Sequence, residues 1–283
     1  MTSDRRAFLQ LALGTAVSPL LAAGWSARLS AQVSIPHEFD TSLESIAIAF
    51  RSGSAMSLGY LSQPKMDGTY PGVIVAHDES GLTTQMQGTA RQVASSGYVT
   101  LAPDFLSPLG GTASFRGIQA DVNRALSSLS MDTAAAVGGH AAAHLAAMKR
   151  VAKNRIGVVG FGWGGGAALA CAVAHPALAA CVVFNAAIAP PVKALEMLKA
   201  PLLAIYAGED SAAVATVSSF EAALKQHRRA HVIKVFPGVQ RGFHDPGAAK
   251  LYNAAAAKEA WSMVFQHLEV NLKGNAASER GTV

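Results

Sequence analysis

The chain has 283 residues, 51% of them apolar and only 14% charged, with a formal net charge of +5. That balance excludes a disordered or tail-like chain and suffices for a sizeable core, in one large domain or two small ones. Part of the basic excess lies at the N-terminus, where Arg5, Arg6 and Arg28 stand against Asp4 alone, and no Lys/Arg cluster interleaved with aromatics argues for nucleic acid as a partner.

The first segment, "MTSDRRAFLQLALGTAVSPLLAAGW", places Arg5-Arg6 ahead of Phe8-Leu9 and a weakly apolar, alanine-rich stretch. It resembles a twin-arginine export signal over residues 1–31, cleaved near Ala31 or retained as an anchor, and predicts a periplasmic or otherwise exported protein. The apolar run is short for a bilayer and is broken by Gly14 and Pro19. Residues 32–42 read as a lead-in, 43–272 as a single domain and 273–283 as a flexible tail.

Within the domain, strand-like apolar runs occur at Ser45–Phe50, Met56–Leu61, Gly72–His77, Tyr98–Ala102, Arg155–Phe161, Ala180–Phe184, Leu202–Ala207 and Val232–Phe236. Helical stretches are predicted at Thr84–Ser96, Ile118–Leu129, Thr133–Val151, Gly165–His175, Val192–Leu198, Ala213–Gln226 and Tyr252–Leu272. This alternation predicts an α/β protein with a mostly parallel, twisted sheet of about eight strands and helices on both faces. The first two runs have no helix between them and fit an antiparallel hairpin at the sheet edge. Cys171 falls in a helix and Cys181 in the next strand, where both read as small buried hydrophobes rather than a disulfide framework. His140 and His144 share a helix face at a spacing zinc can use, but no third ligand is identifiable. No metal and no cofactor are expected.

The run "VVGFGWGGG" at 158–166 fits two turns. Gly160 to Gly165 matches the G-x-G-x-x-G of a dinucleotide cradle, and the same residues fit a strand–elbow–helix junction of the G-x-S-x-G type. The cradle needs an acidic residue at the end of the following strand, yet that strand ends in Asn185, and no Asp or Glu occurs between Asp132 and Glu196.

The elbow has support elsewhere in the chain. "PGVIVAHDESGL", "GYVTLAPDFLSPLGGT", "RIGVVGFGWGGGAAL", "PLLAIYAGED" and "FPGVQRGFHDPGAAKLYNAAAAKEAW" follow one another in the order of the dienelactone hydrolase family, which the sequence resembles over roughly 43–272. The resemblance implies an α/β-hydrolase fold and a cysteine–histidine–aspartate triad. It puts the nucleophile at Gly162, the base at Arg241 and the orienting acid at Asp210. A glycine cannot attack, and a guanidinium stays protonated and cannot serve as a base. Arg241 can pair with Asp210, so an ion pair is expected where the triad would hold its Asp–His pair.

Asp78 resembles the family's pocket glutamate, and Asp78 and Glu79 are the expected pocket acids, with a loop cap as the plainer role. Ser80 follows them with no histidine expected beside it. Trp163 should offer its backbone N–H to the anion site, and His244 recurs as a non-base histidine. Two functions follow. One is an exported protein released from triad hydrolysis, binding a small carboxylate, ester or lactone or serving an exported or membrane-associated complex. The other is a hydrolase of esters or lactones that activates water with Asp78, Glu79 or His244.

Overall fold

The segment Tyr70–Ala76 (β3) sends Val73 and Val75 to one side and Ile74 and Ala76 to the other, and all four are fully buried. A strand apolar on both faces belongs inside a sheet covered on both sides. The computed structural model describes residues 40–186 and 192–274. The export-signal stretch, the lead-in up to residue 39 and the tail beyond 274 lie outside the described residues.

The sheet adds β1 (Leu43–Ser52), β2 (Ala55–Pro64), β4 (Val99–Pro103), β5 (Val151–Phe161), β6 (Ala180–Phe184), β7 (Leu202–Ala207) and β8 (His231–Phe236), in the order β1-β2-β4-β3-β5-β6-β7-β8. β1 and β2 form the expected antiparallel edge hairpin, β2 meets β4 antiparallel, and the pairs from β4 to β8 are parallel.

Helices α1 (Thr84–Ser95) and α6 (Ala254–Leu268) cover the face that carries Val73, Val159, Val182 and Leu203. Helices α3 (Met131–Ala147), α4 (Trp163–Ala174) and α5 (Ser211–Gln226) cover the face of Ile74, Val158, Val183 and Ala204. Helix α2 (Gln119–Ser128) packs Val122, Ala125 and Leu126 with Leu106 in a small cluster of its own. Thr83, Ser130, Asp210 and Asn253 accept backbone N–H bonds at the starts of α1, α3, α5 and α6. Helix α4 differs: it starts at Gly162, which has no side chain to cap it.

Several boundaries depart from the sequence expectation. The helix expected over Thr133–Val151 stops at Ala147, because the chain turns at Met148 and Val151 already pairs with Tyr70 of β3. Apolar periodicity alone cannot separate the end of a helix from the start of a buried strand. Val192–Met197 is a 3-10 turn rather than an α-helix. The last helix begins at Ala254 and ends in a wider turn over Glu269–Lys273. Lys273, expected to open a flexible tail, is held: its Nζ donates to the Ser96 carbonyl at 2.9 Å and lies 4.4 Å from the Tyr98 ring centre.

The glycine cluster is a packing device. A Cβ placed on Gly164, in the first turn of α4, would overlap the carbonyl oxygens of His77 and Ala76 at the end of β3. These are backbone atoms of a central strand and cannot step aside. Gly164→Ala is therefore expected to destabilise by at least about 1–3 kcal/mol. The melting temperature should fall by roughly 5 °C or more, and a thermal or denaturant unfolding curve measures it.

Candidate functional site

Parallel strands β3, β5, β7 and β8 end at the same edge of the sheet, with Ala76 paired to Gly160 and Ala207 to Phe236. The residues just beyond those ends are delivered to one place: Glu79 after β3, Gly162 after β5, Asp210 after β7 and Arg241 after β8. Open parallel sheets hold their ligands at this edge.

Gly162 has φ 53° and ψ −117°, a conformation nearly closed to residues with a side chain. Its N–H donates to the Phe184 carbonyl at 2.8 Å, which fixes the sharp turn between β5 and α4. Asp210 has two tasks. Its Oδ1 accepts from the Ala213 N–H at 3.2 Å and caps α5, while its Oδ2 accepts from Arg241 Nε at 3.0 Å. The ion pair expected between the acid and base positions is thus present.

Arg241 also reaches the other way, donating from Nη1 to Glu79 Oε1. The second oxygen of that carboxylate, Oε2, faces the Trp163 N–H at 3.4 Å. It also occupies the space that a side chain on Gly162 would need, since a Cβ built there would overlap it. The uncapped start of α4 and the space beside Gly162 are filled together by one carboxylate. The four groups form a chain: Asp210, Arg241, Glu79 and the first N–H of α4. Partial burial pulls the Arg241 pKa down, but the neighbouring Glu79 and Asp210 carboxylates outweigh it and leave the guanidinium still harder to deprotonate.

The other expected site residues go elsewhere. Asp78 Oδ1 accepts from the Ser80 N–H at 2.8 Å, so Asp78 and Ser80 are joined in a local loop cap. Burial raises the Asp78 pKa. The Trp163 ring packs on His77, with centroids 6.0 Å apart, and edge-on to Phe105 at 5.6 Å. His244 is boxed by Phe161, Phe184, Phe243 and Trp261, with its Nδ1 buried and unpartnered. His140 Nδ1 is hydrogen-bonded to Ser52 Oγ at 2.9 Å, and His144 lies against Phe50. Cys171 and Cys181 are buried free thiols, and burial pushes Cys171 up to about 12. Asn185, at the end of β6, spends its side-chain oxygen on the Ala207 N–H at 2.7 Å, as a structural residue would.

Sequence reasoning missed the braces that aim Glu79. Gln119 Nε2 donates to the Glu79 carbonyl at 2.7 Å. The buried Asp104 accepts from the Thr112 N–H at 2.6 Å and from Thr112 Oγ1 at 2.9 Å. Thr112 Oγ1 in turn accepts from the Leu82 N–H at 2.9 Å. His77, fully buried below the elbow, accepts the Phe105 N–H on Nε2 and contacts the Asp78 carbonyl through Nδ1. The aspartate was visible in "PDFLSPLGGT", but no local motif ties it to a threonine eight residues on.

A mixed sheet of this order, with a sharp strand–glycine–helix turn after its fifth strand and an acid after its seventh, defines an α/β-hydrolase fold. The model of the dienelactone hydrolase family matches residues 58–272, and the chain belongs to that family. Two curated relatives carry the name "Putative carboxymethylenebutenolidase". The one from Methylorubrum extorquens is 26% identical over 71% of this chain and 72% of its own length. The one from Synechocystis sp. is 27% identical over 76% of this chain and 92% of its own. The solved dienelactone hydrolase of Anabaena variabilis shares the fold, with a TM-score of 0.63 and 23% identity over 82% of this chain and 99% of that one.

The boxed histidine makes stability depend on pH. Burial lowers the His244 pKa from 6.5 to about 4. The unfolded chain therefore binds a proton that the folded chain refuses between those values. The resulting stability is fully present above about pH 6.5 and is lost as pH falls towards 4, up to roughly 3 kcal/mol. Burial of His77 and His267 acts in the same sense. Denaturant unfolding of wild type and His244→Phe should thus diverge between pH 7 and 4, with the variant losing less.

Proposed function

We propose that this member of the dienelactone hydrolase family has left triad hydrolysis and acts as a small-ligand-binding or accessory protein. It is exported through its twin-arginine-type N-terminus, where Arg5-Arg6 precede the apolar stretch. If that segment is retained it anchors the protein and favours service in a membrane-associated complex. Among the described residues, no helix is long and apolar enough to cross a membrane.

The observation that carries the reading is the substitution of two triad positions, with a carboxylate in the gap. Gly162 has no attacking atom, Arg241 cannot take a proton, and Glu79 stands where the nucleophile's side chain would be. The retained acid, Asp210, orients an arginine rather than a histidine. Loss of the histidine alone would leave Asp210 without its partner, and the arginine supplies a replacement.

The competing reading is an active hydrolase of esters or lactones that activates water. Of its three candidate bases, Asp78 is turned to Ser80 and His244 is enclosed by aromatic rings. Glu79 is left, and Arg241 holds it.

Turnover of 4-nitrophenyl acetate and of an unsaturated lactone by purified protein separates the two. Wild type should stay at the background rate. Gly162→Cys with Arg241→His restores the attacking atom and the base, and frees Glu79 to move aside. It should gain at least about 10²-fold. Wild-type turnover that Glu79→Gln abolishes would establish the hydrolase instead.

A further inference from the structure

We infer that the vacated nucleophile position is a binding site for a monocarboxylate, and that Glu79 is its built-in competitor. The inference rests on the reading that Gly162 and Arg241 no longer serve attack, and it goes further by selecting a carboxylate over an ester or lactone.

The site offers two donors from different parts of the chain: the Arg241 guanidinium from beyond β8, and the Trp163 N–H opening the twelve-residue helix α4. A carboxylate already sits between them, with one oxygen on each donor. It is the chain's own, carried on a side chain that can swing away. Glu79 is 37% exposed and Arg241 41%, so exchange at this point leaves the core closed. Arg241 does not follow, because Asp210, only 12% exposed, holds its Nε from behind. When Glu79 leaves, a cationic donor stays in place beside the space Gly162 leaves open.

Charge selects what enters. With Glu79 in place, one guanidinium faces two carboxylates. With Glu79 withdrawn, Arg241 keeps Asp210 and regains a full complement when one anionic carboxylate arrives. A neutral ester or lactone brings no charge to replace the one removed. A dicarboxylate finds one arginine for its two ends. Recognition is therefore of a single carboxylate head, entering where a side chain would stand in a catalytic elbow.

Truncating Glu79 to alanine removes the equivalent of one acetate, so acetate is the probe. Its affinity for wild type, Glu79→Ala, Glu79→Gln and Glu79→Ala with Arg241→Gln is measured by calorimetry and by melting temperature at constant ionic strength. Chloride and methyl acetate are the controls. An internal competitor lowers apparent affinity by the fraction of time the site is free, so Glu79→Ala should bind acetate at least about tenfold more tightly than wild type. Glu79→Gln, whose neutral amide fills the same space without the charge, should bind acetate more tightly than wild type and less tightly than Glu79→Ala. The Arg241→Gln double variant and methyl acetate should show no binding. Acetate that fails to bind folded Glu79→Ala, or binds equally well without Arg241, overturns the inference. None of these readouts involves turnover. Ester hydrolysis by wild type would therefore sink the non-hydrolytic reading, whereas absent acetate binding in an inert protein would sink this inference alone.

Discussion

The close approach of helix α4 to the end of β3 is the constraint on which the rest of the site depends. Gly164 lets the first turn of the helix lie on the His77 and Ala76 carbonyls, and Gly162 lets the chain reverse from β5 into that turn. Helix α4 must begin there, with its first N–H pointing to the edge where β3, β7 and β8 also end. A larger residue at Gly164 would push the helix away from the sheet. The anion-facing N–H, the Trp163 ring and the space beside Gly162 would be displaced together. This geometry is a sharp strand–elbow–helix turn, with Gly162 at its apex.

Arg241 sets the electrical character of the site. A cysteine–histidine–aspartate triad moves protons between groups whose charge states are close in energy. The chain Asp210–Arg241–Glu79 contains a cation that does not titrate in the working range, so it holds charge and relays none. Its members differ in exposure, and so in strength. The Arg241–Glu79 contact is about two-fifths exposed and screened by water, worth on the order of 1 kcal/mol or less. The Asp210 carboxylate is far more enclosed. The inner pair fixes Arg241, and the outer contact can open.

The loops around the site are held by buried polar groups rather than apolar ones. Asp104 ties together the turn that follows β4, and Thr112 passes that order to Leu82 in the loop bearing Glu79. His77 sits beneath, neutral because burial lowers its pKa, and bridges the ends of β3 and β4. A neutral buried imidazole can accept one N–H and donate its own, which suits a place where two strand ends need both. The braced loop fixes the backbone that carries Glu79, whose side chain is partly exposed.

Much of this was legible in the sequence, because the signals were local or came in ordered sets. Alternating apolar runs separated by helical stretches gave the sheet and its two helical layers. Five segments in order identified the family, and the resemblance pointed to Gly162, Asp210 and Arg241, which the fold brings to one edge of the sheet. The resemblance placed Asp210 and Arg241 side by side, and their opposite charges made the pair predictable. The choice between Asp78 and Glu79 was not legible, since adjacent residues point to different sides and only the loop's path decides which one faces in. Nor could the sequence tell that His244 would be enclosed by four aromatic rings drawn from β5, β6, α6 and its own loop. By itself the sequence determined that a glycine, an arginine and an aspartate stand at 162, 241 and 210, because those are matters of residue type. Tertiary structure alone decided that the space beside Gly162 is filled by a carboxylate from the loop after β3, because the contact joins residues 79, 162 and 241 and depends on where three strand ends meet.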